Sequence, residues 1–128
     1  MTKGLADTSL FIAREAGRAL HQKRIPEHLA VSVVTAAELR AGVLVADEVA
    51  IRAARLRTLE FVRGLDPLPI DESVAEAWAL LRVSLRAAGV RMKANDAWIA
   101  ATALAHGLPV VTQDADFNGV PGLSVIKV

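Results

Sequence analysis

The chain has 128 residues, 53% of them hydrophobic and 23% charged, which is enough apolar material for one hydrophobic core and too much for an intrinsically disordered chain. Fifteen basic residues face fourteen acidic ones, a net charge of +1, so any basic face that meets nucleic acid has to be local. Cysteine is absent and the three histidines (His21, His28, His106) lack the close spacing of a zinc-binding pair, which excludes disulfides, thiol catalysis and thiolate metal sites and leaves hard, oxygen-held cations as the metals to consider.

Short β-branched runs alternate with longer alanine-rich ones. Lys3 to Asp7 is a candidate strand that runs into a turn or helix-cap signal, Asp7-Thr8-Ser9. Leu29 to Val34 reads as a second strand of buried character, and Thr35-Ala-Ala-Glu38 then opens a helix to about Val45 in the capping-box pattern. From Asp47 a further helix carries Val49, Ala53, Leu56, Leu59 and Val62 at three- and four-residue spacing and ends at Gly64. Leu65 to Ile70 holds two prolines and reads as a short edge strand. Ser73-Val-Ala-Glu76 repeats the capping box and starts a helix that Gly89 terminates. Asn95 or Asp96 opens another, closed at Gly107, before strands at Leu108–Thr112 and Leu123–Val128. Strands separated by helices predict an α/β chain with a parallel sheet covered on both faces, in one domain over 1–128.

The longest nearly unbroken apolar stretch, Ala97 to Ala105, covers nine positions, against the ~20 residues that a bilayer crossing needs. No signal peptide is readable at the N-terminus, so no membrane association and a cytoplasmic location are expected.

Open α/β sheets bind ligands outside the carboxyl ends of their strands, where neighbouring crossovers diverge. Asp7 ends the first strand, Asp114 and Asp116 follow the strand at 108–112, and Glu38 and Asp96 lie in first turns of helices. Singly, each acid has a structural use: Asp7 and Asp96 as helix caps, Glu38 as partner of Thr35 in a capping box, Asp114 and Asp116 as loop formers. Together they would repel and raise one another's pKa unless a cation intervened. Oxygen ligands without Cys or paired His suit Mg²⁺ or Mn²⁺, ions that activate water and stabilise charge on a phosphoryl oxygen, which implies phosphodiester hydrolysis.

Asp114-Ala-Asp116-Phe-Asn118-Gly119 also matches the first half of a calcium-binding EF-hand loop, but the twelfth position falls on Val125 where a bidentate Glu is required. A phosphotransfer domain of the haloacid-dehalogenase type would need a second Asp two residues after Asp7, where Ser9 stands. Arg91 and Lys93, upstream of Asp96, are candidates for holding substrate phosphates. Arg52, Arg55, Arg57 and Arg63 read as a solvated helix face, and Trp78 and Trp98 as core residues.

Four segments in this order resemble a PIN-domain ribonuclease, specifically the VapC-type toxin of bacterial toxin–antitoxin pairs. They are Leu5-Ala-Asp7-Thr8-Ser9, Thr35-Ala-Ala-Glu38-Leu39, Asn95-Asp96-Ala-Trp98-Ile-Ala-Ala and Val111-Thr112-Gln113-Asp114-Ala-Asp116-Phe117. The resemblance covers essentially the whole chain and implies a PIN-like α/β/α sandwich with a central parallel sheet. It also implies Mg²⁺ (or Mn²⁺) dependence and endonucleolytic cleavage of RNA. Carried over by position, it makes Asp7, Glu38, Asp96 and Asp114 the catalytic acids. Asp7, Asp96, Asp114 and Asp116 become candidate metal ligands, with Asp114 taken as nearer than Asp116. Ser9, Asn95 and Thr112 match polar positions that would orient ligands or water. A homodimer and a cognate VapB-type antitoxin are the partners implied besides RNA. A non-catalytic RNA-binding module on the same scaffold is the alternative, and it would bind RNA in EDTA without ever shortening it.

Overall fold

The computed structural model describes residues 1–128. Its elements, in chain order, are β1 (Lys3–Ala6), α1 (Thr8–Glu15), β2 (His28–Ala30), α2 (Val33–Val45), α3 (Val49–Arg63), α4 (Glu72–Ala88), α5 (Ala94–Ala105), β3 (Val110–Thr112) and β4 (Val125–Lys127), with a 3₁₀ turn over Gln22–Arg24 before β2. The four strands form one parallel sheet in the order β2-β1-β3-β4. Leu5 stands opposite Ala30 on one side and Val110 on the other.

The two-residue period of the strands creates two cores. Leu5 and Val110 point to one face, where Val74, Leu81 and Leu85 of α4 and Ala97, Ile99 and Ala100 of α5 bury them. Ala6 and Val111, their immediate neighbours, point to the other face and meet Leu10 and Phe11 of α1, Leu39 and Val43 of α2, and Leu59 and Val62 of α3. The result is the expected α/β/α sandwich. Small residues allow close approach within it. A Cβ on Gly4 would lie 2.6 Å from Val111 Cγ2 and 3.1 Å from Pro26 Cγ, and α5 buries Ala97, Ala100, Ala101 and Ala103 almost completely.

Several boundaries differ from expectation for identifiable reasons. Helix α2 is capped by Ser32, whose side chain accepts the Val34 N–H at 3.0 Å, so the Thr35–Glu38 capping box does not form. Asp71, accepting the Val74 N–H at 3.0 Å, likewise replaces Ser73 at the start of α4. The edge strand at 65–70 shrinks to one parallel bridge, Ser32 to Leu68, with Leu68 N–H on Val31 O and Val33 N–H on Leu68 O. Pro67 and Pro69 flank Leu68 and offer no N–H to extend the pairing. Helix α5 begins at Ala94, with Lys93 before it and no side-chain cap, so neither Asn95 nor Asp96 opens it as a cap. The expected strands at Lys3–Asp7, Leu29–Val34, Leu108–Thr112 and Leu123–Val128 are all shorter, three or four residues each.

Two further readings change. Trp78 and Trp98 are half-buried and stack on each other at the margin of one core, centroids 4.8 Å apart. On α3, Arg52 and Arg55 are not merely solvated: their guanidiniums donate to Ala46 O and Gly42 O at the end of α2, satisfying carbonyls that the helix leaves free. No helix is long and apolar enough to cross a membrane.

Candidate active site

From β1 the chain crosses through α1 to β2 on one side, whereas β3 lies on the other. The carboxyl ends of β1 and β3 therefore flank the point where the crossovers diverge. A cleft of about 380 Å³ opens there, and Asp7, Glu38, Asp96, Asp114 and Asp116 all line it, with Ser9, Asn95 and Lys93. Five carboxylates from four separate parts of the chain thus face one ammonium.

Asp7 sits deepest, 3% exposed, and follows β1 so closely that its N–H still bonds Val111 O at 2.9 Å. It does not cap α1 with its side chain. Instead Oδ2 accepts the Ser9 hydroxyl at 2.7 Å and the Thr112 hydroxyl at 2.9 Å. Each hydroxyl is also an acceptor, Ser9 Oγ from Gln113 N–H at 3.1 Å and Thr112 Oγ1 from Asp114 N–H at 3.2 Å. Both orient the carboxylate and tie the β3 loop to α1. Burial pushes the Asp7 carboxyl above its ordinary value against the pull of these two hydroxyls, and the nearby Asp114 adds to the rise.

Glu38 reaches the cleft because the capping box fails. Thr8 Oγ1 donates to Glu38 Oε1 at 2.7 Å, and Thr35 Oγ1 lies 2.9 Å from Thr8 Oγ1. With the Thr8 proton directed at Glu38, Thr35 is the donor of that pair. Thr8 and Thr35 are buried residues that sequence reasoning left to helix starts; the pointer to them was a hydroxyl directly after the first acid and another one turn before the second.

Asp96 is half-buried in the first turn of α5, free of any cap duty. Its carboxyl is raised to about 6, first by desolvation and then by the charges of Asp7, Asp116, Glu38 and Asp114. Asp114 and Asp116 both line the cleft: the chain bends between them, and Asp114 Oδ1 accepts the Asp116 N–H at 3.1 Å, an Asx-type turn. Asp114 Oδ1 is also 3.3 Å from Thr112 Oγ1, and Asp114 is half-buried while Asp116 is exposed. Gln113, between them and β3, donates to Ala19 O at 3.1 Å.

Of the candidate residues, Thr112 stands behind the cleft wall and acts on it through Asp7. Arg91 is not brought to the cleft at all. It lines a separate one with Arg82 and Arg86, so Lys93 is the only basic residue of the acidic cleft.

The donor set fits a hard divalent cation: every candidate ligand is a carboxylate, and no histidine lines the cleft. No three acidic side chains stand close enough to hold an ion as they are placed. The mutual repulsion that raises Asp96 is what a cation would relieve.

A PIN domain is matched over residues 5–123. The chain is 49% identical to Ribonuclease VapC5 of Mycobacterium tuberculosis over 125 residues, 98% of this chain and 93% of that protein. With Ribonuclease VapC4 of the same organism it shares 48% over 126 residues, 98% of this chain and 97% of the other. In three dimensions it superposes on a member of the VapBC family of toxin–antitoxin systems, VapBC-5 from Mycobacterium tuberculosis, with a TM-score of 0.91 and 46% identity over the full length of both chains. An acid-lined cleft at the switch point of a parallel sheet and whole-length identity near one half give the same answer: the chain belongs to the PIN-domain family, in its VapC branch.

Proposed function

We propose that the chain is a divalent-metal-dependent endoribonuclease, the toxin of a type II toxin–antitoxin pair, which hydrolyses RNA phosphodiester bonds in the acidic cleft. The observation that carries this is the meeting of five carboxylates from four parts of the chain in one cleft, in a member of the VapC branch. Its relatives VapC5 and VapC4 are ribonucleases by name.

Asp7, Asp96 and Asp114 would hold Mg²⁺ or Mn²⁺, with Asp116 adjoining. A bound ion would supply Lewis acidity, easing deprotonation of water and neutralising charge that builds on the phosphoryl oxygens. The chain's own residues do the positioning. Ser9 and Thr112 fix the Asp7 carboxylate in a single orientation through two hydrogen bonds to the same oxygen. Thr8, itself braced by Thr35, holds Glu38 in the cleft, where its carboxylate can accept a hydrogen bond from the attacking water and orient it. Asn95 presents an amide and Lys93 an ammonium at the rim, suited to the phosphate that enters an otherwise anionic cleft. Ser9 positions Asp7 and needs no role as a nucleophile: its hydroxyl donates to Asp7 and accepts the Gln113 N–H, and no histidine lines the cleft to activate it.

The partners follow the same reading. VapBC-5 is a member of a family of toxin–antitoxin systems, which supports a VapB-type antitoxin as inhibitor; a homodimer acting in the cytoplasm is part of the same proposal. The test is incubation with total cellular RNA in Mg²⁺, in Mn²⁺ and in EDTA, beside Asp7→Asn and Asp96→Asn. Discrete fragments that need the metal and both acids are expected. Full activity in both variants would refute the assignment.

A further inference from the structure

Arg82 and Arg86 lie one turn apart on α4, about 6 Å along the helix axis, and with Arg91 they rim a cleft of about 510 Å³. It is separate from the acidic cleft but adjoins it along the chain: only Met92 stands between Arg91 and Lys93, and Lys93 lines the acidic one. Helix α4 runs toward this end of the molecule, because α5, which follows after five residues, delivers Asn95 and Asp96 to the cleft from its first turn. The positions of the arginines are fixed by the backbone. Gly89 adopts φ 68° and closes α4, its N–H bonding Arg86 O and the Val90 N–H bonding Leu85 O, the Schellman arrangement that sets the angle between helix and exit. Arg82 is placed by its ring contact, the guanidinium 5.4 Å from the Trp78 centroid while Trp78 stacks on Trp98. Arg86 and Arg91 are exposed. On α3, by contrast, Arg52 and Arg55 are committed to carbonyls of the protein.

A chain with a net charge of only +1 gathers here three arginines, without an acid among the residues of their cleft, on a segment that leads directly into a strongly anionic one. Guanidinium forks suit phosphate oxygens, and successive arginines one helical turn apart suit successive phosphates of an extended strand. Resting on the ribonuclease reading above, we propose that the Arg82–Arg86–Arg91 cleft binds the sugar–phosphate backbone of the RNA strand beyond the scissile bond, and so holds the substrate against the repulsion of the catalytic acids.

The experiment measures binding of a short fluorescein-labelled single-stranded RNA of mixed sequence by anisotropy, across a salt series in Mg²⁺, on the Asp7→Asn background so that the RNA stays intact. The double variant Arg86→Glu/Arg91→Glu is expected to bind about tenfold more weakly and to lose about 1.4 from the slope of log K against log salt, two phosphate contacts of a single strand. Arg86→Lys/Arg91→Lys keeps the slope. Arg63→Glu, an exposed charge at the end of α3 on the other face of the sheet, changes neither quantity. Unchanged affinity and slope in the double glutamate variant, or an equal loss in Arg63→Glu, would overturn the proposal while leaving cleavage by the wild-type chain intact. So would a change of molar mass in light scattering with RNA binding unaltered, which makes the cleft a protein contact. A wild-type chain that neither binds nor shortens RNA refutes the function itself, and this inference with it.

Discussion

Asp96→Asn should stabilise the metal-free protein, and the amount can be worked from its surroundings. The Asp96 carboxyl is raised from 3.8 to about 6 by desolvation and by four neighbouring acids. At 1.36 kcal/mol for each pH unit, the ionised form carries a penalty of at most about 3 kcal/mol in the folded state. Asp96 is only half-buried, so solvent screening brings this nearer to about 1 kcal/mol. The sign follows from the order of the two values. Because the folded carboxyl holds its proton more tightly than the unfolded one, the penalty is absent below about pH 4, grows through the window to about pH 6 and is complete above it. In EDTA at neutral pH, Asp96→Asn should therefore raise Tm by roughly 3–6 °C, and the gain should fade toward about pH 4. Added Mn²⁺ should raise the wild-type Tm and do less for the variant, since a cation that binds only the folded chain stabilises by mass action. Calorimetry at the two pH values, with and without Mn²⁺, makes the measurement. A Tm that falls on substitution at neutral pH in EDTA, or a gain equal at both pH values, would refute the repulsion argument.

Other parts of the structure give shorter predictions. Thr112→Val removes a hydroxyl donor from buried Asp7 and leaves the Asp114 N–H without its acceptor. A loss of about 1–3 kcal/mol in urea unfolding is expected, with RNA cleavage reduced at least tenfold. Thr8→Val frees Glu38 from its 2.7 Å hydrogen bond, and cleavage should fall while the Mn²⁺ affinity read by calorimetric titration stays the same. Gly4→Ala puts a methyl carbon 2.6 Å from Val111 Cγ2 in the middle of the sheet, and chemical denaturation should show a loss of about 1–3 kcal/mol from overpacking.

The helix and strand order was legible because burial imposes periodicity. Leu5 and Ala6, and Val110 and Val111, are runs apolar at every position, as strands covered on both faces require. Capping was less legible because each helix start offers several competing oxygens. Ser32 and Thr35 both suit a cap, and the structure takes the one directly after β2, where the chain leaves the sheet. The sequence pattern S/T-x-x-E is satisfied equally by a cap and by a buried threonine with a glutamate one turn further on. Only the position of α1, which brings Thr8 within 2.9 Å of Thr35, decides between them.

The acids of the cleft were legible for a different reason from the basic residues. Asp7 and Asp114 follow strands that pair in the sheet, so strand order alone brings their backbones together, and Asp96 follows because α5 packs against the same strands. Arg91 is placed by the turn that ends α4, which needs a left-handed residue at Gly89 and the Val90 N–H on Leu85 O. With Gly89 at φ 68°, residues 90–92 run along the end of α4 toward Arg86, and only at Lys93 does the chain return to the acids. Two basic residues separated by a single methionine thus face different clefts, one anionic and one cationic. That division is what a strand of RNA needs if it is to be cut at one place and held at another.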